Sequence, residues 1–567
     1  MKCRILDGVR HFLIYGKRGV LLNVSLFSSK YINIWSILTV GIVLTVIAPN
    51  FVILLQFFTE PADQWDHVRQ YLLPDLLKNT GLLLFFTGLT TIFIGTSLAW
   101  LVTAYDFPGT RFFKWGLILP LAIPPYIGGY TYHGMLNYTG VIQTTLRDTF
   151  ELDLDQKYFD ILNLPGAVFI FTLFLYPYIY TMTQTYLETQ SASLIENARL
   201  LGKNGTKIYF SVVLPISRAV IIGGTSLVLL EVLNDYGVVQ YFGVPTFTTA
   251  IFQTWFGMND LASAIKLSAT VMFIIAVLLI GERILRGRKQ YSYTTSRVHP
   301  LQKKKLTGRK KWSAFFYCLA IFSIGFVIPG LQLVSWMMLT YEKVVTAEFW
   351  TLLTNSLIAA ISGAAMIMIG ALVIANFTRL NKSLPAKALS KMTILGYSIP
   401  GAVIAVGIST VFIYIDNVLA ALYEQFDMDG TLFLSTSLLI LIIAYAIRFL
   451  AIGFNAIDAE FDKAGTSFHE ASRLLGKGSI STFFKVDLPM VKGAVISGFI
   501  LSFIEILKEL PLTLILRPFN FDTLSTKAYQ YASDEQIQEA ALPSLLIITL
   551  SALAIYFFYY VLKKERS

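Results

Sequence analysis

The chain has 567 residues, of which 55% are hydrophobic and 14% charged, with mean hydropathy +0.63 and a formal net charge of +10. Soluble domains carry about 25% charged residues, so this deficit, with its repeated apolar runs, excludes an ordinary soluble protein and indicates an integral membrane one. The positive charge is gathered into a few segments with no soluble basic module, which speaks against nucleic-acid binding and for membrane topology.

The N-terminal segment, 1–33, carries Lys2, Arg4, Arg10, Lys17, Arg18 and Lys30. Its charges are scattered, with no apolar core leading to a small-residue cleavage site, so it reads as no cleavable signal; the first span serves as an uncleaved signal anchor. The two cysteines, Cys3 and Cys318, form neither a disulfide framework nor a metal cluster. Apolar runs long enough to cross a bilayer as helices fall near 34–58, 79–105, 113–137, 165–187, 215–240 and 264–285. A basic linker follows, with Arg283, Arg286, Arg288, Lys289, Arg297, Lys303, Lys304, Lys305, Arg309, Lys310 and Lys311. Six further runs lie near 312–339, 353–377, 392–416, 432–456, 490–512 and 542–562, and the tail ends with Lys563, Lys564 and Arg566. The runs are continuous rather than alternating, which favours helices over a barrel.

An even count places the N-terminus, linker and tail on one side, and their charge makes that side cytoplasmic. The opposite loops are acidic, with Glu60, Asp63, Asp66 and Asp75 after the first span, Asp148, Glu151, Asp153, Asp155 and Asp160 after the third, and Asp416, Glu424, Asp427 and Asp429 after the ninth. The expected fold is an all-α integral membrane protein of about 12 transmembrane helices. Its domains are a cytoplasmic segment 1–33, a first transmembrane domain 34–285 with a loop 188–215, a linker 286–311, a second domain 312–562 with a loop 462–489, and a tail 563–567. The linker's charge is explained by topology and attraction to anionic lipid.

The two halves repeat. "SLIENARLLGKNGTKIYFSVVLP", from Ser193, returns as "SFHEASRLLGKGSISTFFKVDLP", from Ser467, an offset of 274 residues. Asn79 matches Asn355, and Pro124 of "AIPPYIGG" matches Pro400 of "SIPGAVIAVG". Duplication of a six-span unit is the simplest source, with a substrate path between the halves. Each copy of the polar phrase opens with a capping-box pattern, Ser193-x-x-Glu196 and Ser467-x-x-Glu470. Each continues as a short amphipathic helix that Gly202 or Gly476 ends in the left-handed conformation. Each then reaches Leu214-Pro215 or Leu488-Pro489 near the start of the next span. A helix lying on the lipid surface explains one such phrase; matched spacing in both favours a docking element for a cytoplasmic partner.

The phrase resembles the EAA motif of bacterial ABC importer permeases, with mild departures at Asn197 and Ser472. That resemblance implies a type I permease-like fold and coupling helices seated in two ATPase subunits. Glu196, Ala198, Arg199, Gly202, Leu214 and Pro215 fall in one coupling loop, and Glu470, Ala471, Arg473, Gly476, Leu488 and Pro489 in the other. The chain lacks G-x-x-x-x-G-K-[ST], so it is expected to be no enzyme; ATP and Mg bind in the partner subunits and no cofactor binds here. "LNDYGVVQYFGVPTFTTAIFQTWFGMNDLASA" and "LKELPLTLILRPFNFDTLSTKAYQYASDEQIQEAALPSL" are similar to fused ferric iron permeases of the Fbp/Sfu/Hit type. The resemblance implies Fe(III) import across the bacterial inner membrane from a periplasmic binding protein. Related fused permeases import thiamine, and unfused relatives polyamines, sulfate or phosphonates.

Fe(III) is a hard cation suited to carboxylate and phenolate oxygen, and intramembrane carboxylates mark functional sites. Glu231 matches Glu505, and Asp235 matches Glu509, four residues on and on the same helical face. These four and Tyr236 are the candidate substrate path. Structural pairing, Glu505 with Lys508 or Glu509 with Arg517, and interfacial exposure are the alternatives. His133 reads as an interface or packing residue, and Arg448 as a snorkelling or paired one. A secondary transporter with six plus six spans is the rival class; the repeated capped helix favours the importer. A membrane-embedded enzyme lacks any catalytic constellation.

Overall fold

The computed structural model describes residues 34–58, 65–152, 154–189, 193–286, 301–381, 383–425 and 432–566. The segment 1–33, linker residues 287–300, and Glu60, Asp63, Asp153, Asp427 and Asp429 lie outside them. The first half comprises α1 (Ile34–Phe57), α2 (Trp65–Ala104), α3 (Thr110–Gly116), α4 (Pro125–Leu136), α5 (Val141–Phe150), α6 (Leu164–Thr189), α7 (Ser193–Leu200), α8 (Gly205–Asn234), α9 (Gly237–Tyr241), α10 (Phe247–Phe252) and α11 (Leu261–Arg286). The second comprises α12 (Arg309–Val344), α13 (Ala347–Leu380), α14 (Leu384–Leu395), α15 (Gly401–Gln425), α16 (Leu438–Ala464), α17 (Ser467–Leu474), α18 (Ser479–Met490), α19 (Lys492–Lys508), α20 (Pro511–Leu516), α21 (Leu524–Ser533) and α22 (Ala541–Arg566). The sheet is a two-residue parallel bridge, with β1 (Tyr105–Asp106) beside β2 (Lys304–Lys305).

Among the described residues, nine helices are long and apolar enough to cross a membrane, and the bent pair α18–α19 makes ten. The apolar part of α22, Ala541–Phe557, is shorter. The run expected at 113–137 is broken: α3 stops at Gly116, a 3-10 turn covers Leu119–Ala122, and α4 starts at Pro125. Pro120, Pro124 and Pro125 explain this, because proline lacks the N–H and forces its predecessor out of helical geometry. The matching run at 392–416 breaks at Gly396–Ser398, just before Pro400. The runs expected at 215–240 and 490–512 stop at Asn234 and Lys508, and short helices resume two residues later.

Each Leu-Pro is preceded by a π turn, Tyr209–Val213 in one half and Phe483–Asp487 in the other. The wider turn accommodates a ring that crowds the preceding carbonyl and cannot bond to it. In the second half the chain also bends by 74° between α18 and α19.

The first helix of each half packs on the opposite half. Val43, Val46 and Ile53 of α1 share a core with Ala364, Ala371, Val403 and Phe454 of α13, α15 and α16. Reciprocally, Ala314, Cys318 and Phe322 of α12 lie with Leu98, Phe113 and Tyr176 of α2, α3 and α6. Inside a half the helices approach closely: a Cβ on Gly95 of α2 would come within 3.0 Å of the Tyr176 carbonyl of α6.

The duplication extends to hydrogen bonds. Asn79 Nδ2 donates to the Pro245 carbonyl at 3.3 Å, and Asn355 Nδ2 to that of Asp522 at 3.1 Å. Thr246 with Thr249, and Thr523 with Thr526, form reciprocal caps at the starts of α10 and α21. Thr248 and Ser525 then tie these caps to the carbonyls of Asp235 and Glu509, at 2.7 and 2.9 Å.

Candidate functional site

The loops between α6 and α8, and between α16 and α18, carry the repeated phrase. Lys203 N donates to the Ala198 carbonyl and Gly202 N to that of Arg199; Lys477 and Gly476 do the same with Ser472 and Arg473. With φ of +73° at Gly202 and +79° at Gly476, each is a Schellman ending that a side chain would strain by roughly 1–2 kcal/mol. The capping boxes differ from expectation. Ser467 is the first helical residue, and its neighbour Thr466 donates to Glu470 Oε1 at 2.7 Å. Threonine, a residue earlier, takes the flanking place. In the first copy Ser193 is likewise already helical, and its side chain lies outside the described residues.

At the end of each short helix the apolar pair is exposed: Leu200 and Leu201 are 85% and 80% exposed, Leu474 and Leu475 88% and 81%. Ala198 is buried, Glu196 and Arg199 are half-buried, and Glu470, Ala471 and Arg473 are exposed. Arg199 donates from Nη1 to the Gln302 carbonyl at 3.2 Å. Leu214-Pro215 and Leu488-Pro489 follow the π turns inside α8 and α18, where the wider turn absorbs the bond that each proline cannot make.

The two repeated loops are anchored differently, which the sequence reading missed. In the second, Asp487 lies 2.7 Å from Arg379 Nη2 of α13 and 2.7 Å from His469 Nδ1 of α17, with the Arg379 guanidinium over the Phe461 ring. The matched first-half positions, Ile195 and Val213, are buried in an apolar cluster with Trp100 and Ala198. The signal was a charged residue where its repeat partner is aliphatic.

Between the halves, Glu231, Asp235, Glu505 and Glu509 line one cavity of about 100 Å³, with Arg448 and Lys508 in the same wall. Asp235 Oδ1 accepts from Val238 N at 2.8 Å at the start of α9. Glu509 accepts from Leu512 N and Thr513 N, both at 2.9 Å, at the start of α20, and pairs with Arg448 at 2.8 Å. These two acids therefore cap the matched short helices α9 and α20. Glu505 meets Lys508 at 3.0 Å, whereas Glu231 accepts from Tyr397 of the other half at 3.2 Å. Arg517 pairs with Asp522 rather than Glu509.

Tyr236 is not with the carboxylates. It stacks on Phe252 at 3.8 Å and lines a separate cavity of about 770 Å³ with Tyr529, Gln240, Gln530 and Arg517. The tyrosines beside the carboxylates are Tyr126 and Tyr178 in the cavity wall and Tyr397, which bonds Glu231. Tyr126 Oη and Asn234 Oδ1 are buried with no hydrogen-bond partner among the described residues. Also among the described residues, no three His, Cys, Asp or Glu side chains are grouped to hold a metal ion. His133 bonds Tyr241 Oη at 2.7 Å.

A family model described as "Binding-protein-dependent transport system inner membrane component" matches residues 92–290 and 366–567, one match per half. Among curated relatives, the Fe(3+)-transport system permease protein FbpB 2 of Haemophilus influenzae is 26% identical over 85% of this chain and 89% of its own. The ferric transport system permease protein FbpB of Actinobacillus pleuropneumoniae is 21% identical over 85% and 70%. The molybdenum transport system permease protein ModB of Escherichia coli is 27% identical over 34% of this chain and 84% of its own. Among solved structures, a bacterial ABC transporter involved in import of the acidic polysaccharide alginate aligns at TM-score 0.35 and 14% identity, over 46% of this chain and 96% of that one.

Proposed function

The chain belongs to the binding-protein-dependent transport system inner membrane components, and from that premise we propose that it is the fused permease of an ATP-driven Fe(III) importer. The observation that carries this reading is the pair of short helices α7 and α17, each closed by a left-handed glycine and each ending in two exposed leucines. Two such helices on one chain suit two copies of a cytoplasmic ATPase. Burying one leucine in a partner's cleft contributes about 1.5–3 kcal/mol, so two pairs supply a stable seat. The ATPases bind ATP and Mg, and a periplasmic binding protein delivers cargo at the opposite end. The N-terminus, linker and tail then lie in the cytoplasm, as their Lys and Arg content favours.

Iron is supported by the ferric relatives over most of the chain and by the inter-half cavity, whose wall carries four acids against two bases. That excess suits a cation and disfavours an oxyanion such as molybdate. Cargo enters through the larger cavity beside Tyr236 and crosses between Glu231 and Glu505. Lys508 holds Glu505 until a cation replaces it.

The test is reconstitution in proteoliposomes with ATPase and binding protein, offering Fe(III), thiamine, polyamine and molybdate. ATP-dependent accumulation of iron alone is expected. ATP-dependent uptake of another solute in its place overturns the iron reading; uptake without the ATPase, driven by an ion gradient, overturns the importer reading.

A further inference from the structure

The first docking loop is braced by the linker. Lys304 and Lys305 pair with Tyr105 and Asp106 at the end of α2, and Leu306 N donates to the Asp106 carbonyl at 3.0 Å. Lys303 Nζ reaches the Val102 carbonyl at 2.9 Å and lies beside Glu188 and Lys114. Leu301 packs on the cluster of Ile195 and Ala198, and Gln302 accepts from Arg199 of α7. The chain before α12 thus fills a groove between the ends of α2, α3 and α6.

The equivalent groove of the second half holds no chain among the described residues. It has a volume of about 530 Å³ and is lined by Thr378 and Asn381 at the end of α13, Lys387 and Ser390 of α14, and Asp458 and Asp462 of α16. In the repeat, Thr378 matches Val102, Asn381 matches Tyr105, Ser390 matches Lys114 and Asp462 matches Glu188. The groove is therefore the one that Lys303 to Lys305 fill in the first half, and its walls carry Asp458 and Asp462 with Lys387.

We propose that the N-terminal segment of this chain fills the second groove, with Ser29 and Lys30 in the places of Lys304 and Lys305. The helix exchange directs it there. Just as α12 carries the linker to the first half, α1 carries its preceding chain to the second. Trp35 packs against Phe377, Ala386 and Phe483 and donates to Ser479 Oγ at 3.2 Å, beside the groove and the second docking loop. Counting back five residues from the first residue of α12 gives Lys304; the same count from Ile34 gives Ser29. Five extended residues span at most about 18 Å, ample for the few residues between Trp35 and the groove. By that count Ser28 stands in the place of Lys303, and Lys30, two residues on, supplies the cation for Asp458 and Asp462 on the groove wall. The segment 1–33 is then a strap that holds the chain leading into α17, one on each half, tying both docking helices to the bundle.

The experiment uses the full chain in its membrane, with Cys3→Ser and Cys318→Ala. Ser29→Cys paired with Asn381→Cys is oxidised beside a reference pair, Lys304→Cys with Tyr105→Cys, whose residues face each other in the β bridge. Comparable disulfide yields are expected, with several-fold less when Lys30→Glu is added. A reference pair that closes while Ser29→Cys with Asn381→Cys stays open overturns the proposal. A second measurement reads Asn381→Cys with a soluble maleimide. Deleting residues 2–30 is expected to expose the thiol; protection that survives the deletion means that lipid or the ATPase fills the groove, and equally overturns it.

Discussion

Replacing Asp487 with valine, the residue at the matched first-half position, tests how the loop carrying α17 is held. The Arg379 side chain is 4% exposed and that of Asp487 0%, with His469 sharing the same carboxylate. Asp487→Val alone leaves Arg379 buried without its anion, and breaking such a pair costs about 3–5 kcal/mol. Replacing all three residues by their first-half equivalents, Arg379→Thr, His469→Ile and Asp487→Val, removes the charges together. Because apolar substitutes for buried ion pairs are often neutral or stabilising by about 1–4 kcal/mol, the triple variant should recover most of the loss. The three side chains touch, so their effects are strongly non-additive. Thermal retention of monodisperse protein in detergent is the assay: the single variant should melt well below the unaltered chain and the triple variant close to it. A harmless Asp487→Val, or a triple variant worse than the single one, refutes the reasoning.

Leu200→Asp with Leu201→Asp, or Leu474→Asp with Leu475→Asp, should leave folding within about 0.5 kcal/mol because these side chains pack on little of the chain. Losing at least one buried leucine at the seat should weaken ATPase binding roughly tenfold or more in a sedimentation titration. Glu231→Gln with Glu505→Gln, at normal expression, should abolish most iron uptake while ATPase binding persists; unchanged uptake removes these residues from the path. Gly476→Ala should cost about 1–2 kcal/mol at the end of α17, read as faster amide exchange there, because φ is +79°.

The twofold plan was legible because duplication preserves spacing: Asn79 and Asn355, and the two glycine-ended phrases, occupy equivalent positions in the structure. Helix number was less legible, since Pro120, Pro124 and Pro400 interrupt runs that hydropathy alone treats as continuous. The exchange of α1 and α12 was invisible, because an apolar helix with no strong polar face does not record which neighbour it packs on. The four matched carboxylates of the sequence line one cavity. Their separate jobs depended on backbone amides: Asp235 and Glu509 accept from the starts of α9 and α20, which no side-chain pattern announces. Tyr126 and Tyr178 were lost among 29 tyrosines.

The central claim is that one chain seats two ATPases, one on each docking helix. Native mass spectrometry of the detergent-solubilised complex measures this directly. Two ATPase copies per chain are expected, and one after Leu474→Asp with Leu475→Asp; a single copy on the unaltered chain, or two retained by the variant, would overturn the proposed assembly.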